Sequence, residues 1–161
     1  MCAKSIIFYT FAAKMTNMKQ ITIKVAWNNS AFEGLVSSET SYGEMKIVTK
    51  DFNDIIDMGE AELKIGFDGY TEFGLELPEW YKNKEYEFVY KFQDVTAMLK
   101  AYSSYVSLAA ISRETGINSA LLSHYANGLK VPRNKQQKII VAGLHRIGAL
   151  LSKCTIDDER K

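Results

Sequence analysis

Cysteine, proline and histidine are scarce in this 161-residue chain, with two of each. Cys2 and Cys154 stand near opposite ends, so a disulfide framework or a cysteine-based metal cluster has nothing to build on, and a reducing cytoplasm is the expected compartment. Charges interrupt every hydrophobic stretch, and no run approaches the roughly 20 apolar residues that cross a bilayer. Membrane association is therefore not expected. The early apolar segment Ser5 to Ala13 is short and lacks a cleavage pattern, which argues against export. Because Met15 and Met18 follow it and the strand pattern begins only after the second, residues 1–17 are read as a flexible extension or an upstream start. There is also no glycine loop to cradle phosphate, no paired His/Cys nucleophile and no metal-ligand spacing. Catalysis, a cofactor and a metal are not expected.

What the chain does have is enough apolar material, 47%, to fold one ordinary domain or two small ones. Its net charge of +1 conceals an asymmetry. Residues 1–92 hold ten basic and fourteen acidic residues, net −4, while residues 93–161 hold ten and five, net +5. Between Lys100 and Lys153, eight basic residues (Lys100, Arg113, Lys130, Arg133, Lys135, Lys138, Arg146, Lys153) face the single acid Glu114, a local +7. Screening confines charge effects to about 8 Å, so this local excess matters more than the total. It suits a polyanion, although a solvated basic face would look the same on charge alone.

From Gln20 to Trp27, Ile21, Ile23, Val25 and Trp27 alternate with Thr22, Lys24 and Ala26, the period of a strand with one buried face. Asn28-Asn29-Ser30 reads as a hairpin turn, with further strands at Phe32–Ser37 and Met45–Thr49 on either side of SSETSYGE. These form an antiparallel meander. Thr49 is the expected N-cap of a helix carrying Phe52, Ile55, Ile56, Leu63 and Phe67, a pattern that Gly66 and Gly69 weaken. Asp51, Asp54, Asp57, Glu60 and Glu62 read as its solvated face. Leu77-Pro78-Glu79-Trp80 reads as a loop before a fourth strand through Tyr86, Phe88, Tyr90 and Phe92. Trp27, Trp80, Tyr86 and Tyr90 are read mainly as core. Residues 18–93 are thus an α+β unit, a small antiparallel sheet with one covering helix.

After Gln93 the period changes from two to 3.6, which places a boundary at Gln93 or Asp94. An all-α unit follows over 94–153, with a tail at 154–161. Asp94 caps a helix striped by Val95, Met98, Leu99, Tyr102 and Val106. A second helix, Ser107–Glu114, turns Leu108 and Ile111 inward. In Thr115-Gly116-Ile117-Asn118 the glycine accepts a left-handed conformation, the isoleucine plugs the corner and the asparagine caps the next helix. That is the pattern of a helix-turn-helix. Ser119–Ala126 follows, burying Leu122 and Tyr125 and ending at Asn127-Gly128, and Pro132 precedes a helix with Ile139, Ile140, Leu144, Ile147 and Leu151. The ordered combination with the local charge favours double-stranded DNA binding over a plain helical bundle. A recognition helix enters the major groove by its N-terminal turn, which makes Asn118, Ser119, Ala120, Ser123 and His124 the base-facing candidates. Asn127, Lys130, Arg133 and Lys135 are the phosphate-facing ones. His124 reads equally as a donor to DNA and as a local structural group, and His145, beside Leu144, as a structural histidine.

With these residues in place the chain resembles HicB-type antitoxins that carry a C-terminal helix-turn-helix. The likeness runs from about Met18 to Leu151 and is most specific in TGINSALLSHYANGLKVPRNKQQKIIVAGLHRIG, Thr115–Gly148, with LPEW and ITIKVAW in support. The resemblance implies a truncated ribonuclease H-like domain that inhibits a small RNA-cleaving HicA-like toxin. It also implies a DNA-binding domain that represses the pair's operon as a homodimer or higher oligomer. Ribonuclease catalysis would need carboxylates clustered on adjacent strands, which these strands lack. Two departures stand out. The family has long polar side chains early in the recognition helix where this chain has Ser119, Ala120 and Leu121, so either base reading is weak or Leu121 meets thymine methyls. The stretch from Ser37 to Glu44 is irregular, which leaves room for an altered toxin-facing surface. The competing reading is a free-standing helix-turn-helix regulator with no toxin partner.

Overall fold

The computed structural model describes residues 18–36 and 45–155, the side chain of Met45 excepted. The expectations for 1–17, for 37–44 and for the last six residues lie outside that range. The chain divides into two compact units, Met1–Gln93 and Asp94–Lys161.

The first unit contains β1 (Lys19–Asn28), β2 (Ala31–Val36), β3 (Met45–Thr49), α1 (Phe52–Glu72), α2 (Glu79–Lys82) and β4 (Tyr86–Phe92). β1 and β2 form a hairpin in which Asn28 pairs with Ala31. Asn29 and Ser30 both hold positive φ, 49° and 62°, the mirror-image turn whose twist matches the flanking strands. The Glu33 carboxylate on β2 accepts from Asn28 Nδ2 and pairs with Lys46 Nζ, each at 3.2 Å. These contacts, the Asn28 hydrogen bond foremost, hold it below the usual carboxylate range.

The sheet order is β3-β2-β1-β4, and the antiparallel meander of the first three strands is present. The sheet as a whole is mixed, however, because β4 runs parallel to β1, with Ile21 opposite Phe88 and Ile23 opposite Tyr90. The chain leaves the β3 edge, crosses through α1 and α2 and re-enters at the far edge. A helical crossover returns the strand in the direction it left. β4 therefore runs with β3, and so with β1.

Alternation puts Ile21, Ile23, Val25, Phe32, Val36 and Ile47 on one sheet face, where they bury Phe52, Ile55, Leu63 and Phe67 of α1. Gly59 permits the close approach, since a Cβ there would stand 3.0 Å from Ile23 Cδ1. The cap of α1 is Asp51 and not Thr49: Asp51 Oδ1 accepts from the Asn53 N–H at 2.9 Å, while Thr49 Oγ1 accepts from the Asp51 N–H at 3.2 Å. Gly66 and Gly69 do not end the helix. Phe67 between them is buried against Trp80 and Tyr81, ring centroids 5.4 and 4.1 Å away, and this packing outweighs a glycine cost of about 1 kcal/mol each. The helix closes instead at Gly74, φ 67°, where the Leu75 N–H donates to the Tyr70 carbonyl at 2.8 Å. The expected loop at LPEW is in part helical, for Glu79–Lys82 makes a turn behind Pro78. Trp27, Trp80, Tyr86 and Tyr90 are half-buried rather than core, and desolvation raises the Tyr81 and Tyr86 hydroxyls above their usual value.

The second unit consists of α3 (Val95–Ala101), α4 (Leu108–Thr115), α5 (Ser119–Ala126) and α6 (Asn134–Leu151). Asp94 caps α3 by accepting from the Ala97 N–H at 2.6 Å. α3 ends before Val106, whose N–H donates to the Tyr102 carbonyl. Met98, Leu99, Ile111, Leu122, Tyr125 and Ile140 make the core. Thr96 Oγ1 ties α3 to α5 by donating to the Tyr125 carbonyl at 2.8 Å. No helix among the described residues is long and apolar enough to cross a membrane.

Candidate nucleic-acid interface

The joint between α4 and α5 is built by local chemistry. Ser107 caps α4, accepting from the Ala110 N–H at 3.2 Å. Gly116 ends the helix with φ 71° and donates its N–H to the Ser112 carbonyl at 2.9 Å. A side chain with a Cβ is strained in that left-handed region. Ile117 follows, half-buried, and its N–H donates to Thr115 Oγ1 at 3.2 Å. Asn118 Oδ1 then accepts from the Ala120 N–H at 2.8 Å and starts α5.

Leu122 and Tyr125 fix the inner face of α5. At about 100° per residue, Ala120, Ser123, His124 and Asn127 fall on the opposite side, with Ser119 at its margin. Asn118, Ser119 and Ala120 are exposed, Ser123 and His124 partly so. Leu121 lies half-buried toward the inner face, a poor position from which to meet thymine methyls. Asn127 is engaged locally, its Nδ2 donating to the Ser123 carbonyl at 3.0 Å. Gly128, φ 70°, closes α5, and the Leu129 N–H donates back to the His124 carbonyl at 2.9 Å.

Lys130, Arg133 and Lys135 are all exposed. Arg133 occupies the N-cap of α6, its backbone N–H donating to Gln136 Oε1 at 3.1 Å. Lys135 and Lys138 lie in the first turns, and no acid is present in the first turn. Helix dipoles disfavour cations at this end and favour anions. The start of α6 therefore carries a positive potential that its own sequence leaves unbalanced, and a helix N-terminus of this kind favours a phosphate.

Two long-range features of this unit are missed by the reading of the sequence. Arg146 Nε pairs with the Glu114 carboxylate and its Nη2 donates to the Glu114 carbonyl at 3.1 Å, so one of the eight basic residues is spent on holding α6 to α4. Beside this pair, Gly143 lies so close to α4 that a Cβ would stand 2.5 Å from Thr115 Cγ2. A glycine inside an apolar helical pattern was the available clue. His145, read as a structural histidine, is exposed, because it lies about 140° and 160° around the helix from the buried Ile140 and Gly143. No grouping of His, Cys, Asp and Glu among the described residues could hold a metal.

Comparison with family models, with curated proteins and with solved structures finds no match to this chain.

Proposed function

We propose that the second unit is a helix-turn-helix DNA-binding domain, with α5 as the recognition helix, and that the chain is a HicB-type antitoxin. On this reading the first unit is a truncated ribonuclease H-like domain that inhibits a HicA-like RNA-cleaving toxin. The second unit represses the operon, acting as a homodimer or higher oligomer. The observation that carries the DNA-binding part is the pairing of an outward α5 face, Asn118 to His124, with the unbalanced positive start of α6 at Arg133, Lys135 and Lys138. The first can meet base edges and the second phosphates. The antitoxin part rests on the resemblance of Thr115–Gly148, LPEW and ITIKVAW.

The test is a gel shift of the protein on its own upstream DNA at two salt concentrations. Binding that weakens steeply with salt and disappears in the Arg133→Glu, Lys135→Glu double variant is expected. Full affinity in that variant removes the phosphate face. A small basic reading frame beside the gene whose product forms a complex with this chain is the corresponding expectation for the antitoxin part. Without such a complex, the chain is a free-standing regulator.

A further inference from the structure

Leu129 and Val131 stand in the loop between α5 and α6, 71% and 86% exposed. Single exposed apolar residues are ordinary, but specific bonds hold these two outward. Gly128 turns the chain at the end of α5, and the N–H groups of Leu129 and Lys130 both donate to the His124 carbonyl, at 2.9 and 3.3 Å. At a glycine-terminated helix end the residue after the glycine commonly packs back on an apolar side chain of the last turn. Here that turn offers Ser123 and His124, and Leu129 stays outside. At the far end of the loop Pro132 is buried, its carbonyl accepts from Gln137 Nε2 at 3.1 Å, and the Arg133 N–H donates to Gln136 Oε1 at 3.1 Å. The loop is thus tied at both ends, and ordering it on binding costs little. Lys130 stands between the two aliphatics and Arg133 follows Pro132, both cations exposed. Glu114, the one acid between Lys100 and Lys153, is engaged by Arg146. Apolar and cationic groups therefore alternate along a basic loop that hangs from His124 of the outward α5 face.

We infer that Leu129 and Val131 pack on deoxyribose rings of duplex DNA while Lys130 and Arg133 hold the adjoining phosphates. A DNA strand alternates sugar with phosphate, and its sugar lacks the 2′-hydroxyl that makes ribose polar. It therefore meets both kinds of group in the loop. A second copy of the loop would set Lys130, Arg133 and Lys135 against their own counterparts. An anionic bilayer takes up apolar groups that reach roughly 5–10 Å into the boundary of head groups and acyl chains, and two aliphatics divided by a lysine and pinned beside a buried proline form no such tip. The inference rests on the DNA-binding reading of this unit and adds to it a share of the affinity that depends neither on base sequence nor on salt, since apolar contacts release no counterions.

The experiment measures the Kd of the full chain by fluorescence anisotropy, over a salt series, on its own upstream duplex and on an unrelated duplex of equal length. Leu129→Ser and Val131→Ser are each expected to weaken binding about five- to tenfold on both duplexes, with the slope of log affinity against log salt unchanged. Lys130→Ala should instead flatten that slope by about 0.9. Val131→Leu, which keeps an apolar group, is expected to bind as the parent does, and so is Val48→Ser, which removes an exposed valine from the first unit. Unchanged thermal unfolding shows that each variant folds. If the parent binds neither duplex, the DNA-binding reading falls and the inference falls with it. If the parent binds and the two serine variants bind equally well, or alter the salt slope as Lys130→Ala does, the sugar contact is wrong while the DNA-binding reading stands. If the parent sediments with phosphatidylserine vesicles and Val131→Ser abolishes that while sparing DNA affinity, a lipid surface is the occupant and the inference is overturned. A change of self-association in the serine variants without a loss on DNA overturns it in favour of a second copy.

Discussion

Gly143 offers a sharp test of how the second unit is assembled. Alanine normally stabilises an exposed helix interior over glycine by about 0.5–1 kcal/mol. At Gly143 the added methyl would stand 2.5 Å from Thr115 Cγ2 and 3.7 Å from Glu114 Cγ. Thr115 cannot easily give way, because its Oγ1 donates to the Ile111 carbonyl at 2.6 Å and accepts from the Ile117 N–H at 3.2 Å. Rotating it out of the way breaks both bonds and loosens the α4–α5 turn. Overpacking of this kind costs about 1–3 kcal/mol, so Gly143→Ala is expected to destabilise by roughly 1–2 kcal/mol net. In a unit of this size that lowers Tm by about 5–15 °C. Gly148 on the same helix has nothing within 4 Å of its would-be Cβ, and Gly148→Ala is expected to raise Tm slightly. Thr115→Ser removes Cγ2 but keeps the hydroxyl, so the Gly143→Ala, Thr115→Ser double variant should recover much of the loss, with a coupling of about 1 kcal/mol or more. Thermal unfolding of the full chain, followed through amide signals of α4 and α6, reads the parent, the three single variants and the double variant. If Gly143→Ala stabilises as Gly148→Ala does, or if Thr115→Ser gives no relief, the close contact between α4 and α6 is refuted.

Three further outcomes follow from other contacts. Asn118→Ala removes the cap of α5 and should cost about 1 kcal/mol; Asn118→Asp keeps the cap, so stability should hold while DNA affinity falls, and a gel shift with a parallel melt separates the two. The Glu33 carboxylate, depressed by Asn28 and then Lys46, should titrate by carboxyl NMR below 4.5. Its folded value is lowered, so its contribution to the hairpin is present above the ordinary carboxylate value and is lost as pH falls through the folded one. Asn28→Ala and Lys46→Ala should each raise the midpoint, and a variant that leaves it unmoved contradicts the assignment. Leu122, fully buried in the second unit, should lose about 2–5 kcal/mol on truncation to alanine; denaturant melts showing less than 1 kcal/mol would mean that α5 does not pack where it is placed.

Much of the first unit was legible because strand alternation is a local property. Ile21, Ile23 and Val25 announce a buried face, and Asn29-Ser30 announces a turn, in the letters themselves. The direction of β4 was not legible, since Phe88 and Tyr90 alternate identically in a parallel or an antiparallel pair; the crossover decides it. Nor was the far end of α1. The glycines at 66 and 69 weaken the helical pattern in the sequence, and only Phe67 against Trp80 and Tyr81 shows why the helix runs through them. In the second unit the turn chemistry at Gly116 and Asn118 was readable for the same reason as the hairpin, because donor and acceptor lie within four residues. The Arg146–Glu114 pair, 32 residues apart, and the Gly143–Thr115 contact are products of packing, and no local pattern names the partners.

On the proposed function, the division of side chains between α5 and α6 determines what kind of DNA binding this unit can perform. Ser119, Ala120 and Ser123 are short and offer no bidentate hydrogen bonding to a base, while they let a helix approach the groove floor closely. The long cationic side chains stand instead at Lys130, Arg133 and Lys135, around the start of α6. Affinity should then come mostly from phosphates, each contact adding about 0.9 to the slope of log affinity against log salt. Neutralising all three should flatten that slope by about three. Single base-pair changes in the operator should in turn cost less than the ~1–3 kcal/mol usual for a bidentate reader. Substituting Ala120→Gln, which adds a long amide to the outward face without touching Leu122 or Tyr125, should sharpen discrimination between base pairs while leaving the salt slope unchanged. A protein whose salt slope is already shallow, and whose affinity collapses on single base-pair changes, would place the reading head elsewhere on the unit.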